Sequence, residues 1–144
     1  MRVQDSLDNV SWERISELFH SIGWGIRNPA EIESAFRESS YVRVAWDGDD
    51  IVAFGRTVDD GKFYALIVDL VVDPSYQGQG IGKKILLELR HELKDYKFTT
   101  LTAAPGKDGF YLKQGWKRQS SAFIWPNSAE QEADHAKRVT EEME

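Results

Sequence analysis

Residues 65–72 read Ala65-Leu66-Ile67-Val68-Asp69-Leu70-Val71-Val72, apolar at every position except Asp69. A run this short, rich in β-branched residues and without polar alternation, predicts a central strand covered on both faces. The two segments before it pair with it naturally. Val42, Val44 and Trp46 lead into Asp47-Gly48-Asp49-Asp50, then Ile51 to Thr57, then Asp59-Asp60-Gly61-Lys62, then Phe63 to Val72. Asp-Gly pairs between apolar runs are turn signals, so the region from Tyr41 to Val72 reads as a three-stranded antiparallel meander.

Helices account for the remaining apolar residues. Ile15, Leu18, Phe19 and Ile22 repeat at intervals of three and four and predict a helix from about Asn9, ended by Gly23. In Asn28-Pro29-Ala30-Glu31, Asn28 is a natural cap, Pro29 suits the first turn and Glu31 can complete a capping box, with Ile32, Ala35 and Phe36 as the buried face. A third helix carries Ile81, Ile85, Leu86, Leu89 and Leu93 toward the sheet. Beyond it we expect a strand over about Phe98–Thr102, a short helix over Asp108–Gln114, and a hairpin of Trp116–Arg118 with Ala122–Trp125. Pro126 then closes a single domain, residues 1–126. The tail, residues 127–144, is polar and without an apolar face, so a solvated helix or disorder is expected there.

Composition removes whole classes of function. The chain has 144 residues and no cysteine, which excludes disulfides, thiolate nucleophiles and cysteine metal sites. Of its net charge of −6, the tail contributes most, with six acids against two bases. No basic stripe is present, so nucleic acid is not an expected partner. Neither the N-terminus nor any later segment has the apolar length of a signal core or a membrane span, so the cytoplasm is the expected compartment and no membrane contact is expected.

The chemistry is concentrated in Gln77-Gly78-Gln79-Gly80-Ile81-Gly82-Lys83-Lys84, which joins the apolar strand to the third helix. Glycines at a helix start let backbone N–H groups converge on an anion, and the helix dipole favours negative charge there. Lys83 and Lys84 oppose that dipole unless an anion such as a diphosphate binds nearby. Such a turn can also serve only to connect strand to helix, but its setting favours the anion. A nucleotide-binding P-loop needs Gly-Lys-Ser/Thr, and a dinucleotide fingerprint needs a third glycine where Lys83 stands. Both fail.

Val72-Asp73-Pro74-Ser75-Tyr76-Gln77-Gly78-Gln79-Gly80-Ile81-Gly82, followed about thirty residues on by Phe110-Tyr111-Leu112-Lys113-Gln114-Gly115-Trp116, resembles the GNAT superfamily of N-acetyltransferases over residues 1–126. The stretch from Ile67 to Gly80 and the Phe123-Ile124-Trp125-Pro126 ending are also similar to a small arylalkylamine (serotonin-type) branch. The resemblance implies an α/β (α+β) fold with a mixed, mostly antiparallel sheet of about six to seven strands flanked by about four helices. It implies transfer of an acetyl group from acetyl-CoA to a primary amine in a ternary complex, without a metal, and homodimers are common in that family. Carried onto matching positions, the backbone of Leu70, Val71 and Val72 would pair with the pantetheine arm. Gln77, Gly78, Gln79, Gly80, Ile81, Gly82, Lys83 and Lys84 would hold the pyrophosphate. Tyr111 would protonate the leaving thiolate; the other reading of Tyr111 is a packed aromatic.

A substrate amine must lose a proton before it attacks, so a carboxylate base is needed, usually through water. Asp69, alone in its apolar strand, is the candidate; the alternative is that it accepts a structural hydrogen bond or positions the substrate. Departures from the family are also legible. Where many members carry Asn seven residues before the tyrosine, and some a glutamate five residues earlier still, this chain has Ala104 and Thr99. Pro105 and Gly106 shorten the helix before Tyr111. Trp24, Trp46, Tyr64 and Trp125 are candidates to line an aromatic pocket, though most must serve the core. The competing class of function is a domain that binds acyl-CoA without turnover, as a sensor or interaction module.

Overall fold

The structure, a computed structural model, describes residues 1–136. It divides into two compact units, Met1–Leu101 and the chain from Thr102 onward.

In the first unit the elements run β1 (Arg2–Gln4), α1 (Trp12–Ser21), α2 (Pro29–Glu38), β2 (Val42–Asp47), β3 (Asp50–Asp59), β4 (Tyr64–Val72), a 3-10 turn (Pro74–Tyr76), α3 (Ile81–Glu92) and β5 (Phe98–Thr100). One sheet of order β1-β2-β3-β4-β5 results, antiparallel throughout except for the parallel β4–β5 pair. The mixed, mostly antiparallel sheet and the meander are as expected. The strand count is five, not six to seven, and the described residues carry five α-helices.

Local signals account for the helix starts. Ser11 Oγ accepts from the Arg14 N–H at 3.2 Å, so α1 begins at Trp12 rather than near Asn9. Asn28 Oδ1 accepts from the Ala30 N–H at 2.8 Å and caps α2, with Pro29 in the first turn. The predicted face of each helix is buried: Ile15, Leu18 and Phe19 from α1, and Ile32 and Phe36 from α2, pack with Val44, Phe54 and Val71 of the sheet. Phe54 stands between the two helices, edge-on to Phe19 at 5.1 Å and to Phe36 at 5.7 Å.

The doubly covered strand is β3, not β4. Residues 51–55 of β3 are all buried, whereas Leu66 of β4 is 39 % exposed and Tyr64 is 64 % exposed. On one face β4 buries Ala65 and Ile67; on the other its first half lies open, beside a fifth strand of only three residues. A third helix packs on β3 and β4, as its apolar spacing predicts. It sits close because of Gly55: a Cβ there would lie 3.0 Å from Ile85 Cγ2 and 3.1 Å from Leu89 Cδ1.

The second unit contains α4 (Asp108–Lys113) and α5 (Ala129–His135). The expected hairpin of Trp116–Arg118 and Ala122–Trp125 does not form; that segment is non-helical chain without strand pairing. Phe123 is 97 % exposed and Trp125 is 86 % exposed, so among the described residues these two side chains have no apolar backing of the kind two short strands need. The start of the tail is an exposed helix, α5, capped by Ser128. The rest of the tail expectation, residues 137–144, lies outside the described residues.

Candidate active site

The predicted site residues of the first unit form one continuous path along β4 and into α3. β4 pairs with β5 only from Tyr64 to Leu66, so beyond Leu66 its outer edge has no strand partner among the described residues. Leu70, Val71 and Val72 lie on that unpaired edge. Backbone groups without a ladder there are available to another extended chain.

A bulge re-aims the strand where the pairing ends. Phe54 pairs with Val71 and Arg56 with Val68, so Gly55 faces both Asp69 and Leu70. Asp69 takes φ 54°, a left-handed backbone that is strained for a side-chain-bearing residue but tolerated best by Asn and Asp. The isolated polar residue in the apolar run is thus also the conformational break. Its carboxylate is taken by two guanidiniums: Arg56 Nε donates to Oδ2 at 2.7 Å and Arg27 Nη1 to Oδ1 at 3.5 Å. Its side chain is only 11 % exposed.

The strand then enters the glycine turn through a braced corner. Asp73 accepts from the Ser75 N–H and from Arg14 Nη2 at 2.9 Å, which hold its carboxyl below the usual range despite the opposing effect of burial. Arg14 also donates to the Ile51 carbonyl, joining α1 to both strands. Tyr76 donates to Asp47 Oδ2 at 2.6 Å, and Gln77 Nε2 donates to the Val72 carbonyl at 3.1 Å. Gln77 therefore acts here on the strand end. The turn it opens keeps Gly78 at φ 82° and Gly80 at φ 84°, and α3 starts at Gly80 with no side chain capping it. The first-turn N–H groups of α3, those of Ile81, Gly82 and Lys83, have no carbonyl of their own helix to bond. Nothing lies within 4 Å of where a Cβ would stand at Gly78 or Gly80, and Gln79, Lys83 and Lys84 are exposed. Ile81 is different: its side chain is buried in the core, and only its backbone faces the turn.

Beside the bulge lies a cleft of about 300 Å³, floored by Phe19, Ile32 and Phe36 and edged by Arg27, Arg56 and Asp69. Sequence reasoning missed both arginines. The signal for Arg56 was available, as the one charge within the run Ile51–Thr57. Of the four residues predicted to build an aromatic pocket, the three in the first unit do not form one: Trp46 is in the core, Trp24 stacks on Phe19 and Tyr64 is largely exposed; Trp125, in the second unit, is 86 % exposed.

In the second unit, Tyr111 lies on α4 between Phe110, at 5.0 Å, and Trp116, at 6.4 Å between ring centroids. Gly115, at φ 92°, turns the chain so that the Trp116 N–H donates to the Tyr111 carbonyl at 3.1 Å. Burial pushes the Tyr111 phenol above its ordinary value of 10, so it carries its proton at neutral pH. Among the described residues no group of three or more metal-ligating side chains is present, and no helix is long and apolar enough to cross a membrane.

Comparison with known proteins gives the family. The model for "Acetyltransferase (GNAT) domain" matches residues 18–125. An uncharacterised N-acetyltransferase, ycf52, of Porphyra purpurea is 31 % identical over 114 residues, 75 % of this chain and 66 % of that protein. Serotonin N-acetyltransferase 2, chloroplastic, of Oryza sativa subsp. japonica is 32 % identical over 118 residues, 76 % of this chain and 58 % of that one. The chain thus spans about two thirds or less of these relatives' own length. A solved GNAT family acetyltransferase from Streptococcus pneumoniae TIGR4 superposes with a TM-score of 0.73 at 31 % identity, covering 88 % of this chain and 97 % of the other. With a motif-bearing strand, bulge and glycine turn in one path, and a family model matching most of its length, the chain belongs to the GNAT family of acetyltransferases.

Proposed function

We propose that the chain transfers the acetyl group of acetyl-CoA to a primary amine by direct attack in a ternary complex. One observation carries this reading: the unpaired edge of β4 leads, through one short turn, to an uncapped, glycine-bounded start of α3. An acyl-CoA needs both features, an extended amide-bearing arm that can pair with a strand and a pyrophosphate that can accept helix-start N–H bonds.

On this reading the backbone of Leu70, Val71 and Val72 pairs with the pantetheine arm, and Gln77 holds the Val72 end of the strand in place. Gly78 to Lys83 receive the pyrophosphate on their backbone, with the exposed side chains of Gln79, Lys83 and Lys84 around it. The amine nitrogen bonds to the acyl carbon as the carbon–sulfur bond breaks, and a strand N–H near the bulge stabilises the negative charge on the acyl oxygen. Asp69, through water, takes the proton from the amine; Tyr111 gives its proton to the departing thiolate. Both oxygens of Asp69 already accept from arginines, which equally supports a role in positioning the amine. No metal enters the reaction. The absence of cysteine suits the reducing cytoplasm as the compartment, although the Oryza sativa relative is named chloroplastic.

Thiol release from acetyl-CoA against a panel of amines at pH 8 tests the proposal. Release with one compound class is the expected result. Silence, together with thermal stabilisation by acetyl-CoA, would replace it with an acyl-CoA-binding module without turnover. In the active case, Tyr111→Phe should slow release by on the order of a hundredfold while sparing CoA binding; unchanged turnover would remove Tyr111 from the mechanism.

A further inference from the structure

The cleft beside the Asp69 bulge sets two guanidiniums on one inner carboxylate, with Glu31 at its exposed rim. Arg56 lies over the Phe36 ring, 5.5 Å from its centroid, and makes the short bond to Asp69. Arg27 lies over Phe19 at 4.2 Å and reaches the other oxygen only at 3.5 Å, the outer limit of a hydrogen bond. A guanidinium has five N–H donors, and this is the one side-chain acceptor that Arg27 meets among the described residues. Glu31, which also borders the cleft, is exposed and forms no ion pair among the described residues, so the two arginines share Asp69 alone.

We propose that Arg27 is the specificity-determining residue of the cleft and binds an anionic group, carboxylate or phosphate, on the acceptor amine. The inference rests on the N-acetyltransferase reading and names its substrate class. A planar guanidinium takes either anion through two parallel N–H bonds, and a ring beneath it fixes its plane. The backbone of Arg27 is fixed as well, because Ser16 Oγ donates to its carbonyl at 2.7 Å. An amine without an anion leaves Arg27 with its single long bond to Asp69. An amine that brings its own anion gives that guanidinium a second acceptor beside the floor of Phe19, Ile32 and Phe36.

Matched acceptors test this: phenylalanine against phenethylamine for the carboxylate, and O-phosphoethanolamine against ethanolamine for the phosphate. We expect one anionic member to be acetylated with kcat/KM at least about tenfold above that of its partner; which pair responds identifies the anion. Arg27→Gln should raise the KM of that acceptor about tenfold more than the KM of its uncharged-tail partner, and Arg27→Lys should recover part of the loss. Calorimetric binding of the N-acetyl products to the wild-type chain gives the same comparison without turnover. Equal use of both members, equal product binding, or an Arg27→Gln effect that is the same for both would overturn the inference. Turnover of the unsubstituted amines alone would overturn it while leaving the N-acetyltransferase reading intact. Failure of acetyl-CoA to bind would remove that reading, and the product comparison would still decide the anion.

Discussion

The two halves of β4 contrast sharply although the sequence treats them alike. From Tyr64 to Leu66 the strand is paired on both edges, antiparallel to β3 and parallel to β5. From Val68 to Val72 it keeps only β3, and it does so around a bulge with a left-handed Asp69. Strand pairing consumes backbone groups and spends them on stability; a strand released from one neighbour keeps them for a ligand. The first half should therefore answer to mutation as structure and the second as function.

The largest effect belongs to the core between the two halves. Ile67 is 3 % exposed, and Ile67→Ala should lower unfolding free energy by about 2–5 kcal/mol in denaturant titration. CoA affinity of the folded fraction should change little; a loss of affinity larger than the loss of stability would blur the contrast. Gly80→Ala should show the reverse weighting. Its φ of 84° makes a Cβ cost roughly 1–2 kcal/mol, but no atom lies within 4 Å of it, so the fold should survive. Acetyl-CoA affinity should fall about tenfold, measured by calorimetry, because the new methyl group takes space in the turn that the pyrophosphate would fill; unchanged affinity would move the phosphate site elsewhere.

The smallest effect concerns the paired end. Tyr96 donates to Asp59, at the end of β3, and this bond pushes its phenol from 10 up to about 12, with burial and the Asp59 charge adding to it. Asp59 is lowered in turn by Tyr96, Ser40 and Thr57, against desolvation. The sign follows from the raised value. Tyr96 stabilises the fold fully below its unfolded pKa of about 10, and that contribution is lost as pH rises toward 12. Thermal melts from pH 9 to 12 should show this decline, and Tyr96→Phe should flatten it.

Legibility followed the range of the interactions. The β2–β3–β4 meander, the three helices of the first unit and the glycine turn are written in spacings of two to four residues, in Asp-Gly turns and in the Asn28 cap, so the sequence alone located them. The three residues of β1 carry no such pattern; Arg2–Gln4 becomes a strand only because Val44 to Trp46 offer an edge. Likewise, coverage of β4 depends on which elements lie over it, and an apolar run does not say. The missing hairpin had the reverse problem: Trp116–Trp125 has suitable residues, yet Phe123 and Trp125 stay exposed and no strand forms there among the described residues. Within the site, the strand edge, the turn and Asp69 were legible as types and order. The hold of Arg27 and Arg56 on Asp69, across 42 and 13 residues of chain, needed the topology.

On the proposed function, the outer edge of β4 beyond Leu66 and the start of α3 together hold acetyl-CoA. Backbone amide hydrogen exchange, read with and without CoA, tests it most directly. New protection is expected at Leu70–Val72 and Gly78–Lys83, with Tyr64–Leu66 unchanged because that stretch is already paired on both edges. CoA binding that protects neither stretch, or protection confined to one of them, would contradict it.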